Sequence, residues 1–301
     1  MRGLSAGLGD LPVTTALRDR LTIYSQLMRL DKPIGTLLLL WPTLWAIWIA
    51  SAGHPTLPVL LIFCLGTLLM RSAGCVINDY ADRDFDALVA RTSGRPFARK
   101  AVSGKEALLL AGGLALLSLL LILPLNRLTL LLSVPAVLVA ASYPYTKRFF
   151  PLPQAYLGIA FSFGIPMAFA AIGNHVPLLA WLMMLATAFW VVAYDTAYAM
   201  ADKPDDLKIG IKTSAITFGR FDAEAVMLCH AVFLVLMSWL GRQWQFGLVF
   251  YAGILVSAFL IMLQYREIKG RDRQRCFKAF LDNNRVGLVL FVAIVLDYLS
   301  R

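Results

Sequence analysis

The chain has 301 residues, of which 59% are hydrophobic and only 15% are charged, and its mean hydropathy is +0.71. A soluble domain is typically about half apolar and a quarter charged, so this composition indicates a membrane protein. The net charge of +10 does not point to a nucleic-acid partner, because the basic residues lie in short segments between apolar blocks. The four scattered cysteines offer no close pair of the kind that binds zinc.

The apolar residues form nine blocks, most of them long enough to cross a hydrocarbon layer of about 30 Å as a helix. Lipid cannot hydrogen-bond to bare backbone groups, so these blocks are predicted to be helices. We expect an all-α polytopic fold, with residues 1–301 forming one membrane-embedded domain and residues 1–33 a cytoplasmic or interfacial segment. The last block is short for a full crossing. The blocks are Ile34–Ala52, Leu57–Val76, Ala107–Leu125, Leu128–Tyr145, Ala155–Gly173, Pro177–Ala199, Ala223–Gly241, Phe246–Gln264 and Val286–Leu299.

Basic residues concentrate on one side of these predicted spans. The N-terminal segment and the connections after even-numbered spans contain 24 of the 28 Lys and Arg residues. Short cytoplasmic loops of membrane proteins carry an excess of Lys and Arg. The distribution therefore predicts that the N-terminus and these loops are cytoplasmic.

Two of the predicted cytoplasmic loops are long and rich in both acidic and basic residues. They span Ile77–Ser103 and Tyr194–Gly219. Asp82 and Asp86 in the first loop parallel Asp202 and Asp206 in the second, four spans later. An internal repeat of this kind would bring the two acidic pairs face to face across a central cavity.

The spacing of each acidic pair favours a bound cation. Residues four apart lie on one face of a helix, where two negative charges repel each other unless a cation offsets them. Carboxylate oxygens suit Mg²⁺, which commonly joins protein carboxylates to substrate phosphates. Asn78 adds an amide oxygen four residues before Asp82. Because Pro204 is restrictive inside a helix, the helical arrangement is better supported for the first pair than for the second. Weaker candidates, which point elsewhere, are Asp79, Asp84 and Asp205.

Basic residues accompany both acidic pairs, which indicates that the metal holds an anion such as diphosphate. Arginine and lysine are the usual phosphate-binding side chains. Arg71 lies near the end of an apolar span and is expected to face the bundle interior. The alternative is that both clusters are solvated caps at the membrane surface, but two similar clusters on one side argue against it. The other candidates for the anion are Arg91, Arg95, Lys147 and Lys212.

The runs Asn78–Asp86 and Arg91–Arg95 resemble the first aspartate-rich motif of the UbiA-type intramembrane prenyltransferases, and the run Asp195–Ser214 resembles the second. This resemblance implies nine transmembrane helices around a central cavity and Mg²⁺-dependent transfer from a prenyl diphosphate. It implies metal binding by Asn78, Asp82, Asp86, Asp202 and Asp206. It implies that the diphosphate is contacted by Arg71, Arg91, Arg95, Tyr143 and Lys147. The predicted catalytic set is Asp82, Asp86, Asp202, Asp206, Arg71 and Lys147.

Two further segments, Arg29–Trp45 and Ser142–Arg148, are similar to the branch of this family that uses 4-hydroxybenzoate. The similarity implies polyprenyl transfer from polyprenyl diphosphate to the ring carbon ortho to the hydroxyl, for ubiquinone synthesis in a bacterial inner membrane. It leaves Arg29, Lys147 and Arg148 open as partners of the acceptor carboxylate. The lipid bilayer is the expected surrounding, and neither nucleic acid nor an obligate protein partner is expected. The alternatives are another aromatic acceptor, or a divalent-cation transporter with carboxylates near mid-membrane in broken helices.

Overall fold

The computed structural model describes residues 12–84, 86–89 and 91–301, without the side chains of residues 12–17. Residues 1–11 of the predicted N-terminal segment 1–33 lie outside this part of the chain. The described residues form twelve α-helices and two short 3₁₀ turns (Asp86–Leu88 and Gly219–Phe221), and they contain no strand. The helices are α1 Pro12–Leu27, α2 Ile34–Ala50, α3 Leu57–Ala81, α4 Gly104–Ile122, α5 Arg127–Thr146, α6 Pro153–Ser162, α7 Gly164–Gly173, α8 Leu178–Ile209, α9 Ser214–Phe218, α10 Asp222–Gln243, α11 Leu248–Ile268 and α12 Arg273–Leu299.

Nine helical stretches of the described chain are candidates for membrane spans. Eight are long and apolar enough by length and composition, and the shorter apolar helix α2 is the ninth. One of the eight, Pro153–Gly173, consists of α6 and α7, which are separated at Phe163. The predicted all-α, multi-spanning membrane fold is confirmed, and the count of nine agrees when α2 is included.

The last span is longer than its hydropathy predicts. The predicted block covers Val286–Leu299, whereas α12 begins at Arg273. Residues 273–285 are largely polar, so hydropathy excludes them, but local interactions extend the helix through them. The Asp272 side chain accepts a hydrogen bond from the Arg275 backbone N–H at 2.9 Å and so caps the N-terminus. With 27 residues, α12 is long enough to cross the hydrocarbon layer fully.

Helix α8 lies at the centre of the bundle, where it packs against α6, α10 and α12. Trp190 of α8 stacks on Phe233 of α10 with ring centroids 5.6 Å apart, and lies 5.4 Å from the Trp45 ring of α2. The Trp190 indole also donates a hydrogen bond to Asn283 of α12 at 2.9 Å. Aromatic contacts and interhelical hydrogen bonds of this kind hold membrane helices in register. They fix the helix whose last turns carry the second acidic pair.

Candidate active site

A cavity of about 1720 Å³ opens between α2, α3, α5, α6, α8 and α12 and extends to α4. It is larger than the roughly 300–1,000 Å³ of most small-molecule pockets. Apolar side chains, among them Leu116, Leu119 and Val137, line part of its wall, while acidic and basic side chains gather at one end. Ten of the eleven predicted site residues line it: Arg71, Asn78, Asp82, Asp86, Arg91, Arg95, Tyr143, Lys147, Asp202 and Asp206.

The first acidic pair does not lie on a helix, so the helical arrangement predicted for it is wrong. Helix α3 ends at Ala81, Asp82 occupies the C-cap position, and Asp86 begins a 3₁₀ turn. The Asp86 backbone N–H donates to the Asp82 carbonyl at 2.9 Å, so one more turn follows the helix end. The Thr92 hydroxyl donates to the Asp86 carbonyl at 2.7 Å and stabilises that turn. Both carboxylates are buried and line the cavity.

The second acidic pair lies on a continuous helix, contrary to the doubt raised by its proline. Helix α8 runs from Leu178 to Ile209 and contains Pro204. Pro204 lies on the exposed side, whereas Asp202 and Asp206 are buried and line the cavity. The helical arrangement is therefore present in the second pair and not in the first.

Two basic side chains bind the acidic motifs across the cavity end. Arg91, in the loop after α3, donates from Nε to both Asp202 oxygens at 3.0 and 3.1 Å. Lys147, at the end of α5, donates from Nζ to Asn78 Oδ1 at 3.1 Å and to Asp82 Oδ2 at 2.8 Å. Positive and negative groups are thus interleaved at this end of the cavity.

A chain of buried ion pairs leads from the N-terminal segment to Asp86. Arg29 Nη2 donates to both oxygens of Asp79 at 2.8 and 2.7 Å. Arg95 Nη1 donates to Asp79 Oδ1 at 3.1 Å and to both oxygens of Asp86 at 3.0 Å. Asp79 is only 1% exposed and contacts both arginines. A residue that sequence analysis treats as a weaker candidate therefore lies at the centre of this network.

The surroundings of Asp86 shift the pKa of its carboxyl group in opposite directions. Burial raises the pKa of Asp86 above its ordinary value, and the nearby charges of Asp79 and Asp82 act in the same direction. The Arg95 guanidinium opposes this shift. Asp86 is therefore a carboxylate whose charge depends on neighbouring cations.

Arg71 faces the interior, as its position near a span end predicts. Its Nη1 lies 2.8 Å from the Cys75 sulfur, and its guanidinium carbon lies 5.8 Å from the centre of the Phe161 ring. Its Nε is buried and has no hydrogen-bond partner among the described residues. A Cβ atom added to Gly35 would lie 2.7 Å from Arg71 Nη2, so Gly35 leaves the space that the guanidinium occupies.

Two other predicted site residues differ in placement. The Tyr143 ring lies in the cavity wall with its centre 5.5 Å from Lys147 Nζ. Lys212 is exposed, does not line the cavity, and donates from Nζ to the Phe149 carbonyl at 3.0 Å. The diphosphate contact predicted for Lys212 does not agree with this placement. Lys212 lies outside the cavity because α8 ends at Gly210, whose left-handed conformation (φ +74°) redirects the following segment.

The donor set fits a metal that is completed by water and substrate. Within the described chain, no three Asp, Glu, His or Cys side chains are grouped closely enough to hold a metal by themselves. Mg²⁺ usually keeps several waters and takes only one or two protein carboxylates together with substrate phosphates. The Asp206 carboxylate lines the cavity and has no hydrogen-bond or ion-pair partner among the described residues. An oxygen-only set on each motif therefore suits Mg²⁺ that is shared with a diphosphate.

The cavity wall also contains a polar residue that sequence reasoning missed. Gln154 of α6 is buried, and its Oε1 accepts a hydrogen bond from the Ser214 backbone N–H at 2.8 Å. Asp195 of α8 also lines the cavity, two turns before the second acidic pair. The only signal in the sequence was a polar side chain beside an apolar block, which is a common mark of function in membrane helices.

Known proteins resemble this chain over most of its length. The sequence profile of the UbiA prenyltransferase family matches residues 39–294. A 4-hydroxybenzoate octaprenyltransferase from Azoarcus sp. (strain BH72) is 63% identical over 94% of this chain and 99% of the relative. A second, from Nitrosospira multiformis, is 64% identical over 95% of this chain and 98% of the relative.

Solved structures share the fold. The apo structure of a UbiA homologue from Aeropyrum pernix K1 has a TM-score of 0.76 and 26% identity, covering 86% of this chain and 97% of that one. A UbiA homologue from Archaeoglobus fulgidus bound to GPP and Mg²⁺ has a TM-score of 0.67 and 20% identity, covering 93% of this chain and all of that one. The chain belongs to the UbiA prenyltransferase family.

Proposed function

We propose that this member of the UbiA prenyltransferase family transfers an octaprenyl group from octaprenyl diphosphate to 4-hydroxybenzoate. The observation that carries the proposal is the meeting of both acidic motifs with Arg91, Arg95 and Lys147 at one end of a large cavity with apolar walls. The relatives named 4-hydroxybenzoate octaprenyltransferase support the acceptor and the chain length. The cavity volume suits a long lipid donor better than a small aromatic ligand alone.

The metal-holding residues proposed here are Asn78, Asp82 and Asp86 on one side and Asp202 and Asp206 on the other. These oxygens would hold Mg²⁺, which would supply Lewis-acid stabilisation of the departing diphosphate. Arg91, Arg95 and Lys147 bind the diphosphate oxygens and share the charge that develops on them. Fixed cations in a site that excludes water stabilise such a charge far more strongly than they would in water.

The proposed transfer replaces the C–O bond of the allylic carbon with a C–C bond to the acceptor ring. The allylic C–O bond of the donor breaks, and its electron pair leaves with the diphosphate. The ring carbon ortho to the phenol hydroxyl donates the electron pair of the new C–C bond, and loss of the ring proton restores aromaticity. The apolar walls of α3, α4 and α5 hold the prenyl tail and exclude water from the allylic cation.

The proposed location is a bacterial inner membrane, with the acidic motifs on the cytoplasmic side. The excess of Lys and Arg in the loops that carry the motifs supports this orientation. In that position the site receives a water-soluble acceptor from the cytoplasm and a lipid donor from the bilayer. The product remains in the lipid phase because of its prenyl tail.

The test uses membranes that contain this protein, radiolabelled 4-hydroxybenzoate, octaprenyl diphosphate and Mg²⁺. We expect Mg²⁺-dependent transfer of label into a lipid-extractable product, and no transfer in matched membranes without the protein. Turnover only with another aromatic acceptor would overturn the proposed substrate while leaving the reaction class. No turnover with any acceptor, in folded protein, would overturn the proposed function.

A divalent-cation transporter is not supported. It requires carboxylates near mid-membrane in broken helices. Asp82 and Asp86 instead follow the end of α3, and Asp202 and Asp206 lie in the last turns of α8. The family to which the chain belongs also favours the enzyme.

A further inference from the structure

We propose that Asp79 is a positioning residue of the transfer reaction, which holds Arg95 against Asp86 and fastens the N-terminal segment to the first acidic motif. The proposal rests on the proposed function, because that function assigns Arg95 to the diphosphate and Asp86 to the metal. Asp79 itself is assigned to neither ligand. Its effect is transmitted through the two arginines that it binds.

The burial of Asp79 requires both of its partners. Asp79 lies in the last turn of α3, directly after Asn78, and is 1% exposed. A carboxylate removed from water is strongly unfavourable unless cations and hydrogen bonds compensate for the lost hydration. Arg29 and Arg95 provide them, with contacts of 2.7–3.1 Å, and their side chains are only 15% and 16% exposed. Two arginines from distant segments are therefore held at one point.

The hydrogen bonds of Arg95 show how Asp79 positions its guanidinium group. Within the described residues, the side-chain hydrogen bonds of Arg95 to Asp79 and Asp86 are all made by Nη1, which binds the two carboxylates together. The rest of the guanidinium is free of these two carboxylates, and Arg95 lines the cavity. A planar guanidinium fixed at one nitrogen presents its other N–H groups in a defined direction, which suits bidentate recognition of phosphate. Asp79 thus sets the orientation of Arg95 and the position of Asp86 at once.

The same carboxylate attaches the N-terminal segment to the site. Arg29 has a left-handed backbone conformation (φ +57°), and its Nη1 donates to the Gln26 carbonyl at 2.5 Å, so its side chain is well fixed. The Gln26 side chain accepts a hydrogen bond from Arg99 at 2.8 Å, and the Tyr24 hydroxyl donates to Glu106 at 2.6 Å. Residues 24–29 are therefore attached at three places to the first motif and to the segment that follows it.

The chain offers a matched control for a merely structural role. Asp222 is also fully buried and also binds two cations, Lys203 at 2.7 Å and Arg271 at 2.8 Å. Among the described residues, the hydrogen bonds of these two cations go to Asp222 and to backbone carbonyls, and none goes to a motif carboxylate. Asp79→Asn and Asp222→Asn therefore remove comparable buried ion pairs, but only Asp79 binds a cation, Arg95, that also contacts a proposed metal ligand, Asp86.

The experiment compares these two variants in the full-length protein in membranes. We expect Asp79→Asn to raise both the KM for octaprenyl diphosphate and the Mg²⁺ concentration for half-maximal activity by about tenfold, the usual effect of losing a residue that orients metal or ligand groups. Asp222→Asn is expected to lower Tm while both kinetic constants stay within about twofold of wild type. Asp79→Glu is expected to restore part of the loss.

A second variant keeps the test decisive if Asp79→Asn does not fold. Arg29→Gln removes only the N-terminal arm, and we expect a change in the same two constants that is smaller than about tenfold. The proposal is overturned if Asp79→Asn, or Arg29→Gln in its place, lowers Tm but leaves both constants at wild-type values. Binding of Mn²⁺ with inorganic diphosphate is measured in parallel. A wild-type chain without transferase activity overturns the proposed function, whereas the difference in binding between the variants still decides the role of Asp79.

Discussion

Arg91, in the loop after the first acidic motif, binds Asp202 in the second motif, with Nε 3.0 Å from Oδ1. The two residues are 111 positions apart in the chain. Their side chains are 32% and 12% exposed, so the pair is more shielded from water than an ordinary surface ion pair. The two motifs therefore form one joined site, and a change in either is expected to affect binding of metal and diphosphate together.

Substitution of Asp202 tests the second motif. We expect Asp202→Asn to lower kcat/KM by at least about 100-fold, because it removes a proposed metal ligand and the partner of Arg91. Asp84→Asn is the matched control, since Asp84 lies within the first motif but is exposed and does not line the cavity. Equal losses in both variants, measured in the same transfer assay, would contradict the assignment.

Lys147 and Lys212 are both predicted from the sequence to bind the diphosphate, but the structure places them differently. Lys147 contacts Asn78 and Asp82, so we expect Lys147→Met to lower kcat/KM about 100-fold to 1,000-fold, as removal of a charge-stabilising donor usually does. Lys212→Met is expected to stay within about twofold of wild type because its side chain is exposed outside the cavity. A large loss of kcat/KM in Lys212→Met would instead indicate that Lys212 reaches the diphosphate during turnover.

Gly35 and Arg71 are predicted to act as one unit. A Cβ at position 35 would meet Arg71 Nη2 at 2.7 Å, so a larger side chain must displace the guanidinium. We expect Gly35→Val and Arg71→Ala each to lower kcat/KM at least about tenfold, since small displacements of positioning groups are costly. The double variant is expected to be no worse than Arg71→Ala alone. Additive losses in steady-state kinetics would indicate that the two residues act separately.

Pro204 provides a prediction about stability rather than chemistry. It lies within α8 on an exposed face, where it lacks the N–H that a helix interior normally uses. Ala favours a helix interior by about 3 kcal/mol over Pro, so Pro204→Ala is expected to raise the Tm of the protein in detergent. A lower Tm in thermal unfolding would show that the proline contributes to the packing of α8.

Much of the fold follows from the sequence because hydropathy reports directly on lipid contact. The blocks from Ile34 to Gln264 correspond to α2–α11, apart from the short helix α9. The start of α12 at Arg273 was missed because its first turns are polar and depend on the Asp272 cap and on side-chain pairs rather than on lipid. Window-based hydropathy carries no information on such interactions.

The site was predictable in its residue types but not in its geometry. Four-residue spacing marks both acidic pairs, yet Asp82 follows a helix end and only Asp202 and Asp206 share a helix. The contact between Arg29 and Asp79 joins residues 50 positions apart, and no local pattern indicates it. Tertiary packing decides which carboxylate contacts which cation. Such long-range pairings cannot be predicted from local patterns in a single sequence.

The most direct test of the central claim is a binding measurement of Mn²⁺ by electron paramagnetic resonance, with and without inorganic diphosphate. If the two motifs form one metal–diphosphate site, diphosphate will tighten Mn²⁺ binding in the wild-type protein. Asp82→Asn and Asp202→Asn will then each abolish that effect, whereas Asp84→Asn will preserve it. Retention of the full diphosphate effect in Asp82→Asn or Asp202→Asn would contradict the joined site.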